Sequence, residues 1–418
     1  MMTQAYYTGI SGLKNSSYGI DIVSDNLANV NTIGFRGDSY EFASLFEESI
    51  ATTSKITNDS IGLGTRIQAT PMTQTQGSFI LTERSTDLAI LGEGWFGVQG
   101  TDEPVYTRNG AFTFDLNRDL VTEDGHYVLG TMGGNIDGEI LTEPLSEVNL
   151  KDVNSQQKLR FPESLTYPAE ATTKVQFFGN LGTDSATRTM SAEVIDPEGT
   201  RNELKLEFSM VEPQTLPGSQ WNVTATTQGL NDNTTVYDTQ SGVVTFNDAG
   251  AFSSSTLSSI DNNGAIVDID FGTGFDGLVA VSNTPISSSS SADGMISGNL
   301  IGYDINQSGE VIASFTNGIQ SSVGKVAVYH FQNDQALDRV SGTYFKPSAN
   351  SGKAIFYKDE SGQNIIGTNM TNFKLEGSNV DITVGLTDLI ILQRSYDANS
   401  KSITTADEMI QKALNMNA

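Results

Sequence analysis

"DNLANVNTIGFR", residues 25–36, is where one kind of chain ends and another begins. Upstream, apolar or small residues recur at Ile10, Leu13, Ser17, Ile20, Ser24 and Leu27. This three-four rhythm places one narrow stripe along an α-helix over residues 3–29. Within the quoted stretch the rhythm stops. Asn29 and Asn31 have side chains that satisfy freed helix carbonyls or form turns of their own, and Asn26 and Thr32 complete the motif. Gly34 permits a backbone conformation that other residues resist, and Phe35 can anchor the connector that follows. The helix itself is weak, because Gly9, Gly12 and Gly19 each cost it ~1 kcal/mol against alanine.

The other end of the chain mirrors this pattern. Leu389, Tyr396, Ile403 and Ile410 recur every seven residues, with Gln393, Ser400, Asp407 and Leu414 at the alternate positions. No Gly or Pro interrupts 386–416, so a helix about 45 Å long is expected there. Both stripes are only partly apolar. Two such helices could close a core within one chain, but stripes this narrow are better matched to partners on more than one side.

Between the ends the period changes to two. "LKLEF" (204–208), "WNVTAT" (221–226) and "AIVDIDF" (265–271) alternate apolar and polar residues, as half-buried strands do. Asn109-Gly110, Asp124-Gly125, Asp137-Gly138 and Asn317-Gly318 mark turns. No strand-helix-strand rhythm appears, so the sheets should be antiparallel. The serine run "ISSSSSADG" (286–294) reads as a linker or exposed loop, and "FPESLTYPAE" (161–170) as a boundary. The expected division is a helical pair from 1–30 with 380–418, a connector from 31–80 with 373–379, an inner β domain from 81–150 with 295–372, and an inserted outer β domain at 151–294. The fold class is mainly β with α-helical termini.

Composition narrows the function. The 418 residues carry 23 Lys and Arg against 50 Asp and Glu, a net charge of −27. Nucleic-acid binding and attachment to anionic membranes both need clustered cations, so neither is expected. The acidity is concentrated in the middle of the chain, which suits near-neutral ends that associate and a body that stays soluble. With no cysteine, disulfides, thiolate zinc sites and cysteine nucleophiles are excluded. No run of 18 apolar residues is present, so no membrane insertion by a helix is expected. "MMTQAYYTGISG" has neither a basic start nor an apolar core, so no conventional secretory signal is expected.

Catalytic vocabulary is nearly absent. "DLNRDLVTEDGH" from Asp115 has acidic or amide residues at calcium-loop positions one, three and five, but Leu120 stands where glycine is needed and His126 where glutamate is needed. "DINQSGEVIASF" from Asp304 has the glycine and ends in Phe315. Both read as acidic β-turns. "GEGWFGVQG" matches no phosphate loop, and neither His126 nor His330 lies in a hydrolase motif. No catalytic residue, metal ligand or cofactor is expected.

Three blocks nevertheless carry a resemblance. "NLANVNTIGFR" (26–36) resembles the signature of the axial proteins of the bacterial flagellum, the rod and hook subunits. "EGSNVDI" (376–382) with "LIILQRSYDANSKSITTADEMIQKAL" resembles their C-terminal helix, and 92–130 resembles their shared β domain. The blocks cover roughly a third of the chain in the expected order. The extra residues at 150–290, with "FNDAGAFSS" (246–254) and the segment 298–352, favour the hook branch over the rod branch.

The resemblance implies a structural protein that is not an enzyme and has no cofactor. It implies a homo-oligomer, a helical filament of many copies forming a curved, flexible tube that transmits torque. Its implied partners are the flagellar rod, the hook cap, the hook-filament junction proteins and the flagellar type III export apparatus. Its implied location is the extracellular part of the flagellum, reached without a cleavable signal. Ile10, Leu13, Ile20, Leu27, Leu389, Tyr396, Ile403, Ile410 and Leu414 are the expected self-assembly residues. A poorly filled helix should fold only against its copies.

Overall fold

The computed structural model describes residues 2–45, 47–49, 60–101, 103–214, 218–230 and 235–415. The two expected helices are present, α1 over Met2–Ala28 and α2 over Ile382–Asn415, and they pack against each other. Between them the described residues form mostly β-strands, with two short 3-10 turns at Val153–Ser155 and Asp334–Ala336.

The chain runs outward and returns beside itself. Phe79–Leu81 pairs with Lys374–Glu376, and Leu88–Leu91 with Asn369–Asn372. Farther out, a five-stranded sheet is ordered 328–329, 95–98, 105–107, 344–346, 338–341. An eight-stranded sheet follows, ordered 136–137, 140–141, 166–167, 298–305, 310–315, 320–326, 129–132, 157–158. Each of these sheets takes strands from both legs of the chain. Leu88, Phe96, Phe112, Leu159, Val311 and Val326 are among the apolar residues buried in the core they share.

A ten-stranded sheet carries the outer part of the molecule, beginning at Lys174 and including the long strands Arg201–Met210, Ser219–Gly229 and Val236–Phe246. Its alternation is the one the sequence displays. Leu204, Leu206 and Phe208 point inward from one strand, Trp221, Val223 and Ala225 from the next, and Val267, Ile269 and Phe271 close the same core.

Several expectations need correction. The serine run is not a loop: Ser287–Ala292 is a strand paired antiparallel with Lys174–Asn180. Its side chains leave it nearly featureless in sequence, and the partner strand supplies the order. The boundary placed at 150/151 falls inside the inner sheet, because 157–158 pairs with 129–132 and 166–167 pairs with 298–305. Pairing is mostly antiparallel but includes short parallel registers, such as Lys174–Gln176 against Asp268–Asp270. The connector also holds a β-hairpin, Glu41–Ser44 against Thr65–Ala69 and Glu47–Ser49 against Ser60–Gly62. This hairpin lies along α1, where the Asn15 amide donates to Thr65 Oγ1 at 2.7 Å.

Candidate assembly surface and its anchor

The contact between α1 and α2 is made by the smallest residues of α1. A β-carbon built on Gly9 would lie 2.8 Å from Ile403 Cγ1, one on Gly12 2.7 Å from Asn399 Nδ2, and one on Gly19 2.8 Å from Leu392 Cδ2. Between them the Ser16 hydroxyl donates to Ser395 Oγ at 3.3 Å. Numbers rise on one helix as they fall on the other, so the pair is antiparallel. Gly9, Gly12, Ser16, Gly19 and Val23 form a three-four stripe of their own, one position away from the apolar stripe. The glycines that weaken an isolated helix are what allow the two backbones to approach.

Of the expected assembly residues, Ile403 lies in the seam itself, against Gly9. Ile10, Leu13, Ile20 and Leu27 are half-buried along one side of α1, and Leu389, Ile403 and Ile410 are half-buried on α2. Tyr396 is 37% exposed and Leu414 67% exposed. Tyr7 and Tyr18 on α1, and Ile390, Ile391 and Met409 on α2, also stand open to solvent. The pair leaves apolar side chains uncovered on more than one side, which is the surface expected of helices that meet further partners.

The opening motif anchors this pair to the β body. The Asn26 amide donates to the Asp38 carbonyl at 2.7 Å, and Asn26 Oδ1 accepts from the Asp38 amide at 2.9 Å. Asn29 donates to the Asp25 carbonyl and its own Oδ1 accepts from the Thr32 hydroxyl, which tightens the turn after α1. Asn31 is exposed at the edge of a cleft it shares with Glu123, Asp124 and Tyr344. Gly34 has φ 69 and packs on the Arg108–Asn109 backbone, so glycine is required there. Phe35 is buried, with the Arg339 guanidinium 4.8 Å from its ring centre.

Next to the motif lies a buried ionic cluster. Glu376 Oε1 is 2.8 Å from Arg36 Nη2, and its Oε2 accepts from Arg108 Nη1 at 3.2 Å. All three side chains are at most 3% exposed. Glu376 also accepts from the Gly77 amide, Arg36 donates to the Thr75 carbonyl, and Arg108 donates to the Gly92 carbonyl. Burial pulls Arg36 below its ordinary value. Burial and the neighbouring Arg36 charge pull Arg108 down to about 10, which leaves it protonated at neutral pH. Asn379 completes the junction, accepting from the Gly37 amide and donating to the Thr73 and Thr75 carbonyls. Sequence reading missed Arg36, Arg108, Glu376, Arg339 and Asn379 as anchor residues. A charged residue is normally read as surface, and nothing local marks one that will be buried against a partner hundreds of positions away.

The two histidines and the acidic turn make ordinary structural contacts. His126 donates through Nδ1 to the Gln99 carbonyl near the surface, and burial lowers the pKa of His330, whose Nε2 meets the Ile366 carbonyl at 2.6 Å. Asp115 spends its carboxylate on the amides of Asn117 and Asp119, as an acidic turn does. Among the described residues, no group of three or more His, Cys, Asp or Glu side chains could hold a metal ion. None of the described helices is long and apolar enough to cross a membrane.

Three segments of the chain match known protein families. Residues 7–36 match the flagella basal body rod protein family, 89–173 the flagellar hook protein FlgE/F/G D1 domain, and 373–416 the flagellar basal body rod FlgEFG protein C-terminal family. Over 99% of its length the chain is 28% identical to the whole flagellar hook protein FlgE of Borreliella burgdorferi. It is 26% identical to that of Escherichia coli over 99% of this chain and 100% of the relative. For that of Brucella suis the identity is 29%, over 98% of each. The crystal structure of Helicobacter pylori flagellar hook protein FlgE2 superposes on 71% of this chain and 100% of its own, with a TM-score of 0.53 at 16% identity. That last likeness is one of fold.

Proposed function

We propose that this chain, which belongs to the flagellar rod and hook protein family and is a structural subunit of the flagellar hook, polymerises through its terminal helices into a curved, flexible tube. The observation that carries the reading is the α1–α2 pair: small residues of α1 bring the two backbones close, and many apolar side chains of both helices are left open for neighbouring copies. A heterologous contact that does not close on itself yields an open helical filament. In this reading Ile10, Leu13, Ile20, Leu27, Leu389, Tyr396, Ile403, Ile410 and Leu414 lie in contacts between copies. Asn26, Asn29, Asn31, Thr32, Gly34 and Phe35 hold the helical pair in a fixed relation to the β body.

The division of labour follows. The helices carry torque along the tube, and the buried Arg36–Glu376–Arg108 cluster passes it to the β sheets. The acidic outer sheets slide past their neighbours as the tube bends, because wet, weakly apolar contacts rearrange at small cost. The rod, the hook cap and the hook-filament junction proteins are the proposed partners at the ends of the tube. The flagellar type III apparatus is the proposed export route.

Electron microscopy of polymer grown from the full chain tests this. A curved, flexible tube is expected; a straight, rigid cylinder would move the chain to the rod branch. Chains lacking 1–30 or 384–418 should stay monomeric and β-rich by circular dichroism. Polymerisation of either one would overturn the role given to the helices.

A further inference from the structure

Helix α2 carries a second seven-residue line besides Leu389, Tyr396, Ile403 and Ile410. Val384, Ile391, Ala398 and Thr405 form it. At 3.6 residues per turn the two lines flank the face that meets α1, one on each side. Val384 and Ile391 are 56% and 58% exposed. Toward the C-terminal end the second line opens into a shallow groove of about 550 Å³. Ala398, Ser402, Thr405, Ala406 and Met409 line it, and Ala5 and Lys401 complete the lining. Its hydroxyls are spent within the helix: Ser402 donates to the Ala398 carbonyl at 3.0 Å, and Thr405 to the Lys401 carbonyl at 2.8 Å. The surface left to the groove is mainly carbon.

The spacing of these residues identifies the shape. Ala398, Lys401, Ser402 and Thr405 stand at i, i+3, i+4 and i+7, and so do Ser402, Thr405, Ala406 and Met409. Four residues so placed make the hole that receives one knob from a facing helix in a coiled coil. The groove is thus two successive holes, and Ser402 and Thr405 border both. Among the described residues α1 and α2 are the only α-helices, and α1 meets α2 through Gly9, Gly12 and Gly19, on the neighbouring face. The chain does not fill its own holes.

Knobs stand on the opposite edge of the helical pair. There α1 presents Ile10, Leu13, Ile20 and Leu27, all half-buried. The two holes are four residues, ~6 Å, apart along the axis, and on this ridge only Ile10 and Leu13 lie that close, at ~4.5 Å. We propose that Ile10 and Leu13 of one copy seat in the two holes around Ser402 and Thr405 of the next. This rests on the polymer reading above and gives it a direction: the ridge edge of each pair enters the groove edge of its neighbour. Ridge and groove lie on opposite edges, so every seated copy leaves one of each free. The contact therefore repeats without pairing off as a two-fold dimer.

The test uses the full chain with Ser402→Leu, which fills both holes at once. Position 402 is exposed in the single chain, so the monomer should unfold at the natural midpoint. The critical concentration for polymerisation should rise by about tenfold or more, as when a central contact is removed. Polymerisation at the natural critical concentration overturns the groove. If the natural chain itself forms no polymer, the assembly reading fails first and takes the groove with it. Because the chain has no cysteine, Leu13→Cys with Ser402→Cys identifies the occupant. Within one chain the two positions lie on opposite edges of the pair, too far apart to be bridged, so a link forms only between copies. Polymer treated with a mild oxidant should yield a ladder of linked chains, and only monomers would overturn the seating of α1 in the groove.

Discussion

The amide of Gly34 donates to the carbonyl of Glu376 at 2.7 Å, joining the outgoing and returning legs of the chain where the helices meet the β body. Around this one bond lie a left-handed glycine, a buried carboxylate and two buried guanidiniums. The junction is thus held by hydrogen bonds and ion pairs from both legs of the chain.

Gly34→Ala should be severe. Its β-carbon would lie 2.7 Å from the Arg108 carbonyl carbon, which is backbone and cannot turn aside, and φ 69 adds strain. A loss of about 2 kcal/mol or more is expected in urea unfolding of the full chain. An unchanged midpoint would remove the reason given for glycine in the motif.

Glu376→Gln leaves Arg36 and Arg108 buried without their counter-ion, and should cost ~3–5 kcal/mol. Replacing the whole cluster, with Arg36→Met, Arg108→Met and Glu376→Leu together, should recover much of that loss. Equal losses from the two variants would mean that shape, not uncompensated charge, sets the cost.

The helix seam separates size from propensity. Gly19→Ala gains ~1 kcal/mol of helix propensity while asking only the flexible end of Leu392 to move, so its net effect should be small. Gly19→Leu cannot be accommodated at that distance and should part the helices. Polymer should then be lost while the β body melts at its usual temperature, and assembly of the leucine variant at the natural rate would refute the seam.

Acid should loosen the base of the 115–119 loop. Hydrogen bonds from Arg160 and then Lys158 hold the Asp119 carboxyl below its ordinary value of 3.8. A carboxyl depressed on folding contributes stability above its unfolded value, and loses it as pH falls through the folded one. Stability measured from pH 5 down to pH 2 should therefore fall, and Asp119→Asn should flatten part of that fall. An identical slope in the variant would show that Asp119 does not contribute.

Much of this was legible in the residues. The three-four rhythms at the ends and the two-residue alternation of 204–208 and 221–226 report local geometry, since they record which side of a helix or strand meets an apolar neighbour. The stop at 25–36 was legible for the same reason. Gly9, Gly12 and Gly19 were misleading, because in isolation a glycine only loosens a helix. The serine run gave no apolar alternation to read, and became a strand because Lys174–Asn180 lies beside it.

The sequence by itself determined two helical ends, a β-rich acidic middle and the point of handover between them. Only the tertiary structure decided that small residues would form the helix seam and that Glu376 would be gripped by Arg36 and Arg108. The physical reason is range. Periodicity is written by neighbours a few residues apart, whereas the burial of a charge or the closeness of two backbones depends on a partner that the chain reaches only by folding back on itself.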